Sequence, residues 1–196
     1  MDNAEILKHI DHTLLKAVSD EKGILDICKE AVEHKTASVC IPPSYVKLAK
    51  EKFPSLNVCT VIGFPLGYST TVVKVFETED AVKNGSFDKV TEEISAVRKA
   101  AEGKILKVII ETCYLTEEEK IRLCKCVTDG GADYIKTSTG FGTAGAQKED
   151  IVLFKNNIGK DVKIKAAGGI RTKEAMEEFI ELGCDRIGTS GANLLF

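Results

Sequence analysis

Apolar residues in this chain gather in short runs, separated by longer stretches where they recur at helical spacing. The runs at residues 10–15, 38–41, 58–64, 106–111, 133–138, 162–167 and 186–189 read as strands. Several are continuous β-branched and aliphatic sequences, as expected of strands buried on both faces of a parallel sheet. Between them, Ile24, Ile27, Cys28, Ala31 and Val32 mark one helical stripe. Ala175, Met176, Phe179 and Ile180 mark another, closed by Gly183. Thr116 and Glu119 are spaced as a capping box, and Gly130 and Gly131 end the helix it opens. Repeated strand–helix units without a break in composition predict an α/β fold, a single TIM-type (β/α) barrel domain over residues 1–196.

The rhythm falters once. Successive runs begin near 10, 38, 58, 106, 133, 162 and 186, and most steps are 20 to 29 residues. The step from 58 to 106 is 48 residues, about two units. It holds two helical patterns, residues 71–83 and residues 87–101, the second marked by Val90, Ile94, Val97 and Ala101. Only Asn84, Gly85 and Ser86 separate them; Asn-Gly stops a helix and Ser86 can cap the next. Three residues leave no room for a strand, so the spacing predicts a barrel lacking its fourth strand. The flanking strands then either pair directly or leave a gap of roughly 10 Å, two strand spacings. Another reading is that the natural protein carries a segment here that this sequence omits.

Charge narrows the partners. Lys plus Arg number 27 against 30 Asp plus Glu, a net charge of −3, which gives no basic surplus for nucleic acid and no acidic tail. Met1 to Glu5 lacks the charged-then-apolar pattern of a signal peptide. The longest apolar stretch, residues 58–66, contains Thr60, Gly63 and Pro65 and is too short to span a bilayer. Seven cysteines on mostly apolar segments suit reduced thiols in the cytosol. Cys124 and Cys126 have no matching Cys/His pair elsewhere, and His9, His12 and His34 lie far from them, so no metal site is expected.

Candidate chemistry gathers where strands end in glycines. The segment from Asp133 to Gly142 runs from an apolar strand into a loop, at the end where barrel active sites form. Lys136 is there either the last solvated strand residue or an amine directed into the barrel mouth. Burial would depress its pKa and make it a nucleophile for carbonyls. A neighbouring strand carries Lys163 and Lys165 on one face by the two-residue period. Two ammonium groups facing each other in a low-dielectric mouth push one toward the neutral amine, which favours the second reading of Lys136. The plainer alternative leaves Lys163 and Lys165 as solvated edge residues. After the last two strands, Gly168-Gly169 and the Gly188-to-Gly191 segment lie where barrels bind phosphate, with Arg171 to add charge; the same glycines could simply make tight turns.

These segments resemble a known family. Asp11-His12-Thr13-Leu14-Leu15-Lys16, Ser38-Val39-Cys40, the run from Val58 to Gly67, Leu106 to Thr112, Ile135 to Phe141, Lys165 to Thr172 and Arg186 to Ser190 are all similar to deoxyribose-phosphate aldolases, in family order and nearly from end to end. The resemblance implies Lys136 as the Schiff-base lysine and Lys165 as the second lysine that tunes it. It places Asp11 and Cys40 in the pocket lining and Gly169, Arg171, Ser190 and Gly191 around a sugar phosphate. The implied reaction is reversible cleavage of 2-deoxy-D-ribose 5-phosphate to D-glyceraldehyde 3-phosphate and acetaldehyde, with no metal or other cofactor.

One departure stands against this. The family carries, after the position of Asn84-Gly85, a strand with an Asp that works with the second lysine in proton transfer. Asp88 does not replace it, because it falls in the first turn of an expected helix, where a carboxylate serves the dipole. An aldolase-derived protein that binds sugar phosphate, or serves in assembly, with feeble or lost turnover is therefore the competing expectation. An open barrel edge favours association between copies, a homo-oligomer.

Overall fold

Each of the seven apolar runs holds a parallel strand: β1 (Ile10–Thr13), β2 (Ser38–Cys40), β3 (Val58–Cys59), β4 (Lys107–Ile109), β5 (Tyr134–Lys136), β6 (Lys163–Ala167) and β7 (Arg186–Thr189). The structure is a computed structural model and describes residues 1–70, 72–74, 76–77, 91–101 and 103–196. The strands form one sheet in the order β3-β2-β1-β7-β6-β5-β4. β1, first in the chain, thus lies beside β7, the last, with Asp11 opposite Gly188. The sheet curls on itself, since Lys107 on β4 reaches Asp11 on β1 at 3.4 Å. This is the strand arrangement of a (β/α) barrel.

All strands but β7 are shorter than their apolar runs, and β3 shrinks most. Beyond Cys59 the chain keeps a tie to β2, where Thr60 Oγ1 donates to the Ile41 carbonyl at 2.5 Å. Gly63 then takes φ +57 and turns the chain away. Among the described residues β3 and β4 are the two ends of the sheet and do not pair with each other. Of the two outcomes expected for the flanking strands, direct pairing is not found among the described residues, which leaves a seam between them. Side chains bridge it, with Lys107 Nζ donating to Cys59 Sγ at 3.7 Å. The expected turn at residues 84–86, and Asp88 with it, lies outside the described residues.

Helices α1 (Asn3–Leu7), α2 (Glu21–Glu33), α3 (Val46–Lys52), α4 (Thr91–Ala100), α5 (Glu117–Asp129), α6 (Lys148–Asn157) and α7 (Lys173–Glu181) cover the sheet. Thr116 and Glu119 make the capping box at the start of α5. Ile24, Ile27, Cys28 and Ala31 of α2 are buried against Val39 and Ile41. Val32 is a correction to the apolar stripe: it stands 44% exposed, because it lies beyond the flank of the face that the other four define. A larger core joins Ile94 and Val97 of α4 to Ile135, Ile164 and Ile187 of the sheet. Gly130 lets α4 approach the end of α5, for a Cβ there would fall 2.6 Å from Ile94.

Candidate active site

The carboxyl ends of β1, β5, β6 and β7 open into a cavity of roughly 640 Å³. Lys136 forms part of its lining, with Thr139, Gly140 and Phe141 from the loop after β5. Ala167 to Arg171 line it from the loop after β6, and Gly188 to Ser190 from β7 and the loop that follows. The opposite wall comes from His12 to Lys16 and from the α2 face of Gly23, Asp26, Ile27 and Glu30. Gly168 and Gly169 both have positive φ, +87 and +76. The loop after β5 is pinned beside them, where Ala146 donates its amide to the Ala167 and Gly168 carbonyls, both at 3.1 Å.

Register sets the lysine pair. Lys136 lies directly opposite Lys165 in the β5–β6 ladder, and Tyr134 opposite Lys163. The two-residue period therefore brings Lys136 and Lys165 to the same level inside the sheet. Lys165 is 1% exposed and Lys136 is 7% exposed, whereas Lys163 is solvent-exposed at the amino end of its strand. Burial first, and the neighbouring Lys165 charge second, lower the Lys136 amine to about 8. At that value a sizeable fraction is the neutral, nucleophilic amine near neutral pH.

Lys165 has a partner that Lys136 lacks among the described residues. Its Nζ donates to Asp11 Oδ2. Asp11, wholly buried, also accepts from Ser38 Oγ at 2.6 Å, and Arg186 Nε lies 3.7 Å away. Burial alone would raise this carboxyl, but the Lys165 and Lys107 charges and the two hydrogen bonds outweigh it. Asp11 is held far below the usual carboxylate range. Cys40 lies opposite Cys59 in the β2–β3 ladder. A hydrogen bond to Cys59 and burial push the Cys40 thiol up, while the same bond and the Lys107 ammonium hold Cys59 down. Lys107 is itself raised, because Cys59 and Asp11 outweigh its burial.

The residues singled out from the sequence thus occupy two layers. Lys136, Gly169, Arg171 and Ser190 line the cavity; Lys165, Asp11 and Cys40 are buried and lie outside its lining. Gly191 is not on the lining either, and it donates its amide to Thr189 Oγ1 at 2.9 Å. Sequence reasoning passed over Lys107 and Arg186 as members of this cluster. A cation on a strand otherwise built of apolar residues was the available signal in each case. Among the described residues, no three His, Cys, Asp or Glu side chains converge as a metal-binding group.

A parallel (β/α)-barrel sheet with a buried, unequal lysine pair at the carboxyl ends of its strands defines a class of lysine-bearing barrel proteins. Within that class the chain belongs to the DeoC/LacD aldolase family: residues 80–195 match the family described as DeoC/LacD family aldolase. It is 57% identical to a deoxyribose-phosphate aldolase of Clostridium botulinum (strain Alaska E43 / Type E3), over 98% of this chain and 95% of that protein. Its fold is similar to a crystal structure of a putative deoxyribose-phosphate aldolase from Coccidioides immitis, with TM-score 0.92 and 36% identity over 98% of this chain and 85% of that one. It is similar as well to a tetrameric deoxyribose phosphate aldolase from Aeropyrum pernix, with TM-score 0.90 and 27% identity over 99% of this chain and 90% of that one. The C. botulinum alignment runs over 209 positions although this chain has 196 residues, so part of the relative faces a gap here.

Proposed function

We propose that this chain cleaves 2-deoxy-D-ribose 5-phosphate reversibly to D-glyceraldehyde 3-phosphate and acetaldehyde, through an imine on Lys136. The observation that carries the reading is the unequal lysine pair. Lys165 is held in an ion pair with Asp11, and Lys136 is left as a buried amine facing the cavity. In the cleavage direction, neutral Lys136 attacks the substrate aldehyde and water leaves as the imine forms. The protonated imine accepts the electron pair of the carbon–carbon bond as the 3-hydroxyl loses its proton, and glyceraldehyde phosphate departs. Protonation of the enamine and hydrolysis release acetaldehyde and the free amine. Gly169, Arg171 and Ser190, from the loops after β6 and β7, would meet the phosphate, with Gly191 supporting the same loop.

Relatives carrying the deoxyribose-phosphate aldolase name support the substrate, and the seven free thiols suit a cytosolic setting. The A. pernix tetramer supports association of this chain into a homo-oligomer. Among the described residues no helix is long and apolar enough to cross a membrane. The unpaired β3–β4 seam favours a second reading, in which the sugar phosphate binds but turnover is feeble.

Borohydride reduction in the presence of acetaldehyde, followed by peptide mapping, is expected to label Lys136. A label on Lys165 or Lys107 with Lys136 untouched overturns the assignment. Labelling of Lys136 with little steady-state cleavage selects the second reading.

A further inference from the structure

The chain leaves β4 through Glu111 in a left-handed conformation, φ 53 and ψ 64. A side chain there is strained relative to glycine, so a glutamate calls for a compensating interaction. One is present. Both carboxylate oxygens lie 3.2 Å from the Thr139 amide, and Thr139 Oγ1 donates to Oε2. Thr139 Oγ1 in turn accepts from the Phe141 amide at 3.0 Å. The bonded loop is the one that lines the cavity three to five residues after Lys136. Gly142 continues it against Glu111, for a Cβ there would meet Cys113 Sγ at 2.6 Å and Glu111 Oε1 at 3.1 Å.

The clamp acts across the open seam. Phe141 packs edge-to-face on Phe64, with ring centroids 5.4 Å apart at 85°. Phe64 belongs to the segment after β3, so the two rings span from one side of the unpaired β3–β4 seam to the loop beyond the other. We infer that Glu111 is a positioning residue: its carboxylate fixes the Thr139–Phe141 turn so that Phe141, backed by Phe64, forms the cavity wall beside the seam, against the acceptor half of a sugar phosphate. The inference rests on the imine reading of Lys136 for its catalytic consequence, though the clamp itself does not. Acetaldehyde, with two carbons, reaches Lys136 without needing this wall. A five-carbon phosphate ester extends to it.

Glu111→Gln retains the shape and the backbone strain while removing the charge, and Glu111→Gly removes both side chain and strain. Three readouts are compared in full-length protein: hydrogen exchange of the Thr139 and Phe141 amides, KM and kcat for deoxyribose 5-phosphate, and the rate at which borohydride traps acetaldehyde on Lys136. Loss of one charge-assisted contact is expected to raise amide exchange and KM in Glu111→Gln by about tenfold. The acetaldehyde trapping rate should stay with the parent. Glu111→Gly should show the same KM defect although its backbone is relieved. Unchanged exchange and KM in Glu111→Gln overturn the inference, as does a parental KM in Glu111→Gly. A common fall in trapping, kcat and melting temperature also overturns it, since that is the signature of a merely structural residue. If the parent fails to trap on Lys136, the proposed function fails, and the amide exchange alone then decides the clamp.

Discussion

Replacing Asp11 by Asn removes the one carboxylate that, among the described residues, faces both Lys165 and Lys107. At 3.4 Å and an effective dielectric near 20, a single pair of charges is worth about 5 kcal/mol before desolvation. Asn relieves the cost of burying a carboxylate and can still accept from Ser38. The Lys165 ammonium, however, remains buried without its counter-charge, and Lys107 is left with Cys59 as its partner. Breaking a buried pair from one side typically costs about 3–5 kcal/mol, and the retained acceptor places Asp11→Asn near the lower end, about 3 kcal/mol. For a chain of this size that is a fall in melting temperature of roughly 6–12 °C at pH 7. The pH dependence carries the sharper test. Lysines that lose their counter-charge bind protons less readily when folded, so the unfolded chain takes up more protons and stability rises with pH toward 10. Urea denaturation from pH 6 to 10 should therefore show the gap between parent and variant narrowing as pH rises. A loss below about 1 kcal/mol, or a gap constant over that range, would refute the account of Asp11 as the anchor of the amine cluster.

Lys136 makes a prediction of the same kind in the parent. Its folded value is about 8 against 10.5 for the unperturbed amine, a lowered value, so the unfolded state binds more protons between the two. The cost of burying the charge is fully present below pH 8 and is relieved as pH climbs to 10.5, by up to about 3 kcal/mol. Lys136→Met should accordingly be more stable than the parent at pH 7 and lose that advantage by pH 10.5; a variant no more stable at pH 7 contradicts the buried amine. For turnover, inserting a strand that bears an Asp between Gly85 and Ser86 is expected to raise steady-state cleavage by about 10² to 10⁴, the usual worth of general acid–base help. Parental turnover already at the level of full-length relatives would remove the reason for that insertion.

Local rules made some of this readable in the sequence and hid the rest. Continuous apolar runs revealed the seven strands seen among the described residues, because burial on both faces leaves no alternation to confuse. The pairing of Lys136 with Lys165 followed from the two-residue period on adjacent strands. Strand lengths were overread, most of all after Cys59, since an apolar run does not disclose whether a neighbour exists to hold it. Asp11 on β1 and Lys107 on the end strand β4 are separated by β7, β6 and β5 in the sheet, and no periodicity links residues that meet only when the sheet curls. Lys107 looks like a solvated strand end until Asp11 and Cys59 are seen beside it. Glu111 was least legible: left-handed turns are sought at glycine or asparagine, and its compensation comes from Thr139, 28 residues on.

The bond between Asp11 and Lys165 joins residues 154 apart. A ribosome adding about 5–20 residues per second needs roughly 8 to 30 s to make the intervening chain. During that interval Asp11 has left the exit tunnel while its amine does not yet exist, and β1 can gain β2 but not β7. A carboxylate on its own resists burial, which keeps the nascent β1 wet and discourages early collapse around it. The pairing of β1 with β7, and the bond from Asp11 to Lys165, can thus form only after nearly the whole chain has been made.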